Sequence, residues 1–224
     1  MLTFASSCQA LSNLKQAVAQ APNSHTFEAS GGNSTGKRRV CTEALGLSFC
    51  ITDWSDRAKM MADNGLSVVF AEADFEDRMS KTPVNPGQAV KFDSVGVLKN
   101  YLQPDGKLAY TYSERMCDQL APVVKLLREH PDTRQAFLSI WDPDKDMPNF
   151  ETSRVPCSIG FHFLIRDGKL NLVYYMRSLE VTQCVGNDIY TSSRMIEAIA
   201  EELGVGIGIL TFCVGSAHFF SDKA

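Results

Sequence analysis

Residues 159–176 read IGFHFLIRDGKLNLVYYM, and this stretch decides the fold class. Ile159 to Ile165 and Leu170 to Met176 are two alternating apolar runs, and Arg166-Asp167-Gly168-Lys169 separates them. Asp-Gly between alternating runs is a strong two-residue hairpin signal, so the runs read as paired antiparallel strands. Downstream, Ile189, Met195, Ile196, Ile199, Ala200 and Leu203 recur at helical spacing, with Gly204 placed as a helix C-cap. Ile207 to Val214 then reads as a buried strand. Upstream, Glu114 to His130 carries Leu120, Val123, Val124, Leu126 and Leu127 on one side of a helix that ends before Pro131. Val40 to Thr52 reads as a strand, Asp53 to Asn64 as a short helix, and Leu66 to Ala71 as an apolar stretch of no assigned type. Leu11, Leu14, Ala17 and Val18 mark a helix within residues 5–20, and residues 21–37 read as a Ser-, Gly- and Asn-rich loop. Residues 77–104 carry no clear period. Strands and helices in these proportions give an α+β class and one domain over residues 1–224.

The whole composition narrows the function classes. Of 224 residues, 44% are hydrophobic and 21% charged, which excludes a disordered or collagenous chain. The 22 basic and 26 acidic side chains leave a net charge of −4, so no basic field is available for a nucleic acid polymer. The one dense basic cluster, Lys37-Arg38-Arg39, suits a small anion such as phosphate. The cysteines at 8, 41, 50, 117, 157, 184 and 213 are odd in number and contain no C-x-x-C pair, the usage of a reduced cytosolic protein. The N-terminal residues lack a basic stretch followed by a long apolar one, and no run of 18 apolar residues occurs; a cytoplasmic protein without a membrane partner is expected. His25, His130, His162 and His218 are scattered, so no metal site is expected.

Cys157, in Val155-Pro156-Cys157-Ser158, stands at the mouth of the first hairpin strand. A thiol at an element edge can be both held and approached, although a buried structural cysteine has the same local sequence. Arg177 follows the second strand, and a cation beside a thiol favours the nucleophilic thiolate. It reads equally as a strand-end surface charge.

Four motifs occur in order: Pro156-Cys157, Arg177-Ser178, Gly186-Asn187-Asp188 at the opening of a helix, and Gly215-Ser216-Ala217-His218. With the Phe-x-Ile-Arg-Asp-Gly-Lys-Leu hairpin between the first two, this pattern resembles the catalytic half of the thymidylate synthase family, well over residues 131–220 and weakly before them. The resemblance implies a large mixed or antiparallel sheet with flanking helices, packed sheet to sheet as a homodimer with shared active sites. It also implies a pyrimidine nucleoside monophosphate as substrate and 5,10-methylenetetrahydrofolate as one-carbon donor.

By the same resemblance, Cys157 is the nucleophile that adds to C6 of the pyrimidine. Arg177 and Ser178 hold the phosphate and support the thiolate, Arg134 is a phosphate-binding arginine donated across the dimer, and His218 binds the sugar. Glu72 corresponds to the glutamate that organises water and proton transfer at the base; the run of Glu72, Asp74, Glu76 and Asp77 also reads as a solvated acidic face. One of Lys37, Arg38 and Arg39 takes the place of a further phosphate ligand, with Arg38, the middle residue, as the representative.

Asp188 is the informative position. Ten residues after Ser178, thymidylate synthases carry asparagine, whereas the phage dCMP hydroxymethylases carry aspartate. Uracil offers N3–H and a C4 carbonyl, which an amide matches with one acceptor and one donor; cytosine offers the reverse. A carboxyl group answers cytosine by accepting from the 4-amino group and sharing a proton with N3. Against uracil, a bare carboxylate opposes two acceptors, which costs of order 1 to 3 kcal/mol in a buried site. The neighbouring Asn187 leaves a one-residue register alternative that restores asparagine and uracil, and an aspartate here also reads as a helix N-cap. Two departures stand out: His218-Phe219-Phe220 replaces His-x-Tyr, which suits an altered sugar such as ribose, and Gln135 replaces the second arginine of a pair. The expectation is C5 hydroxymethylation of CMP or dCMP, with a UMP or dUMP methylating or hydroxymethylating enzyme and a non-catalytic nucleotide-binding relative as alternatives.

Overall fold

The computed structural model describes residues 1–30, 38–94, 96–149 and 154–221. Its elements in chain order are β1 (Leu2–Phe4), α1 (Ser7–Gln20), β2 (Ser24–Ser30), β3 (Arg38–Ile51), α2 (Arg57–Asp63), α3 (Val68–Arg78) and α4 (Ala89–Phe92). There follow α5 (Tyr112–Glu129), β4 (Phe137–Ser139), α6 (Pro143–Asp146), β5 (Ser158–Arg166), β6 (Lys169–Glu180), α7 (Val185–Leu203) and β7 (Gly206–Ser221).

The strands form one mixed sheet in the order β1-β3-β7-β6-β5-β4, with β2 paired to β3. β1 runs parallel to β3 and β6 parallel to β7, while the other pairs are antiparallel. The β5–β6 hairpin closes through Asp167 and Gly168 at φ 52° and 68°, the left-handed geometry that an Asp-Gly turn supplies at low steric cost. Helix α7 packs on β6 and β7, α1 on β3 and α5 on β4. The core between sheet and helices is aromatic at its centre. Phe49 stacks on Phe212 at 4.6 Å, Phe161 on Tyr174 at 4.3 Å, and Tyr174 meets Phe212 at 5.5 Å. Phe212→Ala should therefore cost roughly 3–5 kcal/mol, read as the shift in a denaturant or thermal unfolding curve.

Local sequence explains most element ends. Thr111 accepts from the Glu114 amide while the Glu114 side chain accepts from the Thr111 amide, a reciprocal cap that starts α5. Gly204 ends α7 at φ 68°. Two sequence expectations need correction, and one unassigned stretch acquires a type. The loop assigned to residues 21–37 contains β2, an edge strand paired only to β3; its run Ser-His-Thr-Phe-Glu has too few apolar residues to read as a strand. The apolar stretch from Leu66 is the start of α3, where β-branched Val68 and Val69 mask an amphipathic helix burying Phe70, Ala71, Phe75 and Arg78. Helix α7 begins four residues earlier than its apolar period indicates, with Cys184 as N-cap, so Asp188 lies inside the first turn and is not the cap. Among the described residues no helix is long and apolar enough to cross a membrane.

Candidate active site

Cys157 sits directly before β5, half-buried, held by its own backbone and by β6. Its carbonyl accepts from the Arg177 amide at 2.9 Å. The Arg177 side chain turns back over the same segment: Nε donates to the Pro156 carbonyl at 2.8 Å, and Nη2 lies 3.2 Å from the Val155 carbonyl and 4.0 Å from Cys157 Sγ. The sequence reading places Arg177 after the strand; it lies inside β6, which runs on to Glu180, and this exposed arginine is thus fixed beside the thiol. A second guanidinium, Arg154, lies 4.9 Å from the Tyr101 ring centre and 5.9 Å from that of Tyr110. Burial works against its charge, but Tyr110, Tyr112 and Cys157 around it hold its pKa above the usual arginine value.

On the inner side of the same strand, Ser158 starts a row of hydroxyls. Its Oγ is 2.7 Å from the Tyr112 hydroxyl and hydrogen-bonds the Tyr174 hydroxyl, which in turn donates to Asp188 Oδ1 at 3.4 Å. Asp188, only 9% exposed, is met from α3 by Arg78, whose Nη2 stands 4.0 Å from Oδ1 and 2.7 Å from Asp74 Oδ2. The Arg78 guanidinium also covers the Tyr112 ring at 4.5 Å. Burial pushes the Asp188 carboxyl up to about 6, against the pull of Arg78. The result is a carboxyl group that takes up its proton at a pH well above the usual carboxylate range. Asn187, one residue earlier, turns to α3 instead, its Nδ2 donating to Asp74 Oδ2 at 2.8 Å.

Several buried polar groups around this cluster have no hydrogen-bond partner among the described residues: the Tyr110 hydroxyl, Asn187 Oδ1, and Arg78 Nε and Nη1. Buried polar atoms in folded proteins are nearly always paired, so such a concentration marks where the polar edges of a ligand would sit.

The other expected residues fall in three places. Ser178 Oγ is 3.5 Å from His218 Nδ1 across β6 and β7, and burial lowers the His218 pKa despite the charge of Glu180. Phe220 packs edge-on to His218 at 5.2 Å, with Arg39 above its ring at 5.0 Å. In the basic cluster, Arg38 is the first residue of β3, while Lys37 lies outside the described residues. Arg134 is exposed, and its carbonyl meets His162 Nε2 at 3.0 Å. Glu72 is engaged elsewhere, accepting from Tyr190 at 2.9 Å and from Arg194 at 2.9 Å. Two and six residues past Asp188, these partners put Glu72 on another side of α7. Burial works to raise its pKa, but Arg194 and Tyr190 hold it below the usual glutamate value. The α3 carboxylate that turns toward Asp188 is Asp74.

Sequence reading missed Tyr174, Ser158, Tyr112, Arg78 and Asp74. The available signals were a tyrosine at an inward position of an otherwise apolar strand and an Asp-x-x-x-Arg pair on the buried side of α3.

A family model described as thymidylate synthase matches residues 75–224. Thymidylate synthases of Listeria monocytogenes and Listeria innocua are 32% and 31% identical over 105 residues, 47% of this chain and 32% of each of those proteins. The matched stretch is thus about a third of the length of these relatives. Two solved structures share the fold. Thermostable thymidylate synthase A from Bacillus subtilis has a TM-score of 0.72 at 14% identity, covering 96% of this chain and 80% of that one. Thymidylate synthase from T4 phage has a TM-score of 0.69 at 18% identity, covering 94% and 76%.

Proposed function

This chain belongs to the thymidylate synthase family, and on that premise we propose that it hydroxymethylates C5 of a cytidylate, CMP or dCMP. The observation that carries the reading is Asp188, a carboxyl group buried to 9% exposure whose proton affinity is raised to about 6. A neutral acid donates to N3 of cytosine and accepts from its 4-amino group, a match that uracil cannot give without moving the proton. The competing uridylate reading would place Asn187 at the base. Its amide nitrogen already donates one of its two N–H groups to Asp74, which ties the side chain to α3, whereas the Asp188 carboxyl meets Tyr174 and Arg78.

The one-carbon donor in this proposal is 5,10-methylenetetrahydrofolate, which supplies a carbon at the oxidation level of formaldehyde. The unpartnered Tyr110 hydroxyl and Asn187 Oδ1 fit the amide and amino groups of such a pterin, and these residues would help to hold it. Cys157 Sγ adds to C6 of the cytosine, and the electron pair displaced from the C5–C6 bond makes C5 nucleophilic. Arg177, fixed beside Sγ, stabilises the thiolate before attack and its return as leaving group. Asp188 places its proton at N3, where charge accumulates as C6 is attacked. Once C5 carries the new carbon and has lost its proton, the bond from that carbon to the donor nitrogen would break to release tetrahydrofolate, water would add to the exocyclic methylene left on the base, and the C6–Sγ bond breaks to release Cys157.

Arg177, Ser178, Arg134 and one of Lys37, Arg38 and Arg39 are proposed to hold the phosphate, and His218 the sugar. Arg134 would act from the partner in a homodimer. Support for that arrangement is the open sheet surface lined by Ile159, Tyr175, Arg177, Cys213 and Gly215, which leaves Ile159 40% exposed. Glu72, tied to Arg194 and Tyr190, is reassigned from proton transfer to fixing α3 on α7. Glu72→Gln should lower thermal stability by about 1 kcal/mol or less and leave turnover unchanged; unfolding curves beside steady-state assays check both. The function itself is tested by incubating the protein with the folate and each of CMP, dCMP, UMP and dUMP and identifying products by mass. A hydroxymethyl-cytidylate product supports the reading, and a methylated or hydroxymethylated uridylate overturns it.

A further inference from the structure

The carboxyl group of Asp188 is not symmetric in its surroundings. Tyr174 donates to Oδ1 at 3.4 Å, and Arg78 Nη2 stands 4.0 Å from the same oxygen. Tyr174 is itself fully buried, stacked on Phe161 at 4.3 Å, and its hydroxyl is tied to Ser158, which is tied to Tyr112. Ser158 donates to Tyr112, and the Ser158–Tyr174 bond can be donated from either side, so the Tyr174 hydroxyl is held between Ser158 and the carboxyl. The Tyr174 donor and the Arg78 cation therefore converge on one oxygen, and Oδ2 is left for the other role.

From this asymmetry we infer that Tyr174 is a specificity-determining positioning residue: its hydroxyl, held by Ser158, marks Oδ1 of Asp188 as the accepting oxygen, so that Oδ2 carries the proton and the pair reads the 4-amino group and N3 of cytosine in that order. The inference rests on the cytidylate reading above and deepens it. A carboxylic acid can present its donor and acceptor in either order. With the order free, one acid would accept cytosine or, after the proton moves, uracil. An oxygen already receiving a hydrogen bond from Tyr174 and facing a guanidinium is the weaker base of the two, so the proton settles on the other. The order is then fixed before a nucleotide arrives, and a C4 carbonyl meets an acceptor.

The groups that face Asp188 are Arg78 and Asp74 from α3, Tyr174 from β6, Tyr112 from α5, Cys184 from its own helix, and Arg154 from the segment before β5. Arg78, Tyr174 and Arg154 favour the ionised carboxylate, and burial and Asp74 oppose it. Removing the Tyr174 hydroxyl deletes a donor to the anion and so raises the pH at which Asp188 gives up its proton.

The test is Tyr174→Phe, which keeps the buried ring, assayed as kcat/KM against pH for a cytidylate and the matching uridylate. Loss of one buried hydrogen bond to the carboxyl predicts a fall of up to about tenfold in the cytidylate-to-uridylate ratio. The alkaline limb of the cytidylate profile, which reports the free enzyme, should move to higher pH. Ser158→Ala should move both readouts in the same direction by less, and it serves alone if Tyr174→Phe does not fold. A purely structural role would lower turnover of both bases alike and leave the limb in place. A cytidylate-preferring wild type whose variants keep both ratio and limb overturns this inference alone, as does a ratio that rises. A wild type that prefers uridylates overturns the inference and the proposed function together.

Discussion

Cys157→Ser is expected to abolish product formation and exchange of the C5 proton together, each by at least about 10⁴-fold. The reasoning begins with the pyrimidine, whose C5 is a poor nucleophile until a nucleophile adds at C6. A serine hydroxyl at the same position would have to be ionised to do this, and among the described residues the side-chain hydrogen-bond partner of Sγ is a guanidinium, which cannot take that proton. Arg177 Nη2 is 4.0 Å from Sγ, and Arg154 lies close enough for its charge to be felt. Serine also has nearly the size of cysteine, so the partly exposed site and the Arg177 amide bond to the residue 157 carbonyl should survive. Tritium release from cytidylate labelled at C5 measures exchange without product, and mass spectrometry measures product. Exchange retained at wild-type rate in the variant would remove Cys157 from the reaction.

The second large effect is expected at Asp188. Asp188→Asn should shift the ratio of kcat/KM from cytidylate toward uridylate by one to two orders of magnitude, roughly what relieving one opposed pair in a buried site supplies. The amide carries a donor and an acceptor that can turn to meet uracil, which a carboxyl that is ionised or carries its proton on Oδ2 cannot do. A stability measurement gives an independent reading. The folded carboxyl has its pKa raised to about 6 from 3.8, so as pH rises through that window the unfolded chain releases its proton first and the native state loses stability. At pH 8 the variant should therefore unfold at a higher temperature than the wild type, and the difference should shrink as pH falls below the folded value. An unchanged base ratio with an unchanged pH dependence of stability would mean that Asp188 lies outside the base site.

The parts of this account that were legible in the sequence are those that local order encodes. The β5–β6 hairpin follows from alternation and Asp-Gly, and it places Cys157 just before β5 and Arg177 on β6 beside it. What was not legible depends on residues brought together from distant elements. Arg78 and Asp74 lie on a helix whose opening valines give no clear type in sequence, and only the packing of α3 against α7 aims them at Asp188. Tyr174 reads from sequence as one more apolar residue of an inward row; its hydroxyl acquires meaning from Ser158 and Asp188, 16 and 14 residues away. Glu72 is the reverse case. Its residue type fits a proton-transfer role, but helix geometry turns it to Arg194 and Tyr190 while Asp74 faces the buried carboxyl.

The central claim is that a protonatable aspartate selects cytosine. Its most direct test is competition: wild-type protein with the folate and equal concentrations of CMP, dCMP, UMP and dUMP in one mixture, with consumption of each followed by mass spectrometry. The account predicts that a cytidylate is consumed at least tenfold faster than either uridylate, roughly the least that a matched against an opposed buried pair gives. Preferential consumption of UMP or dUMP would contradict it.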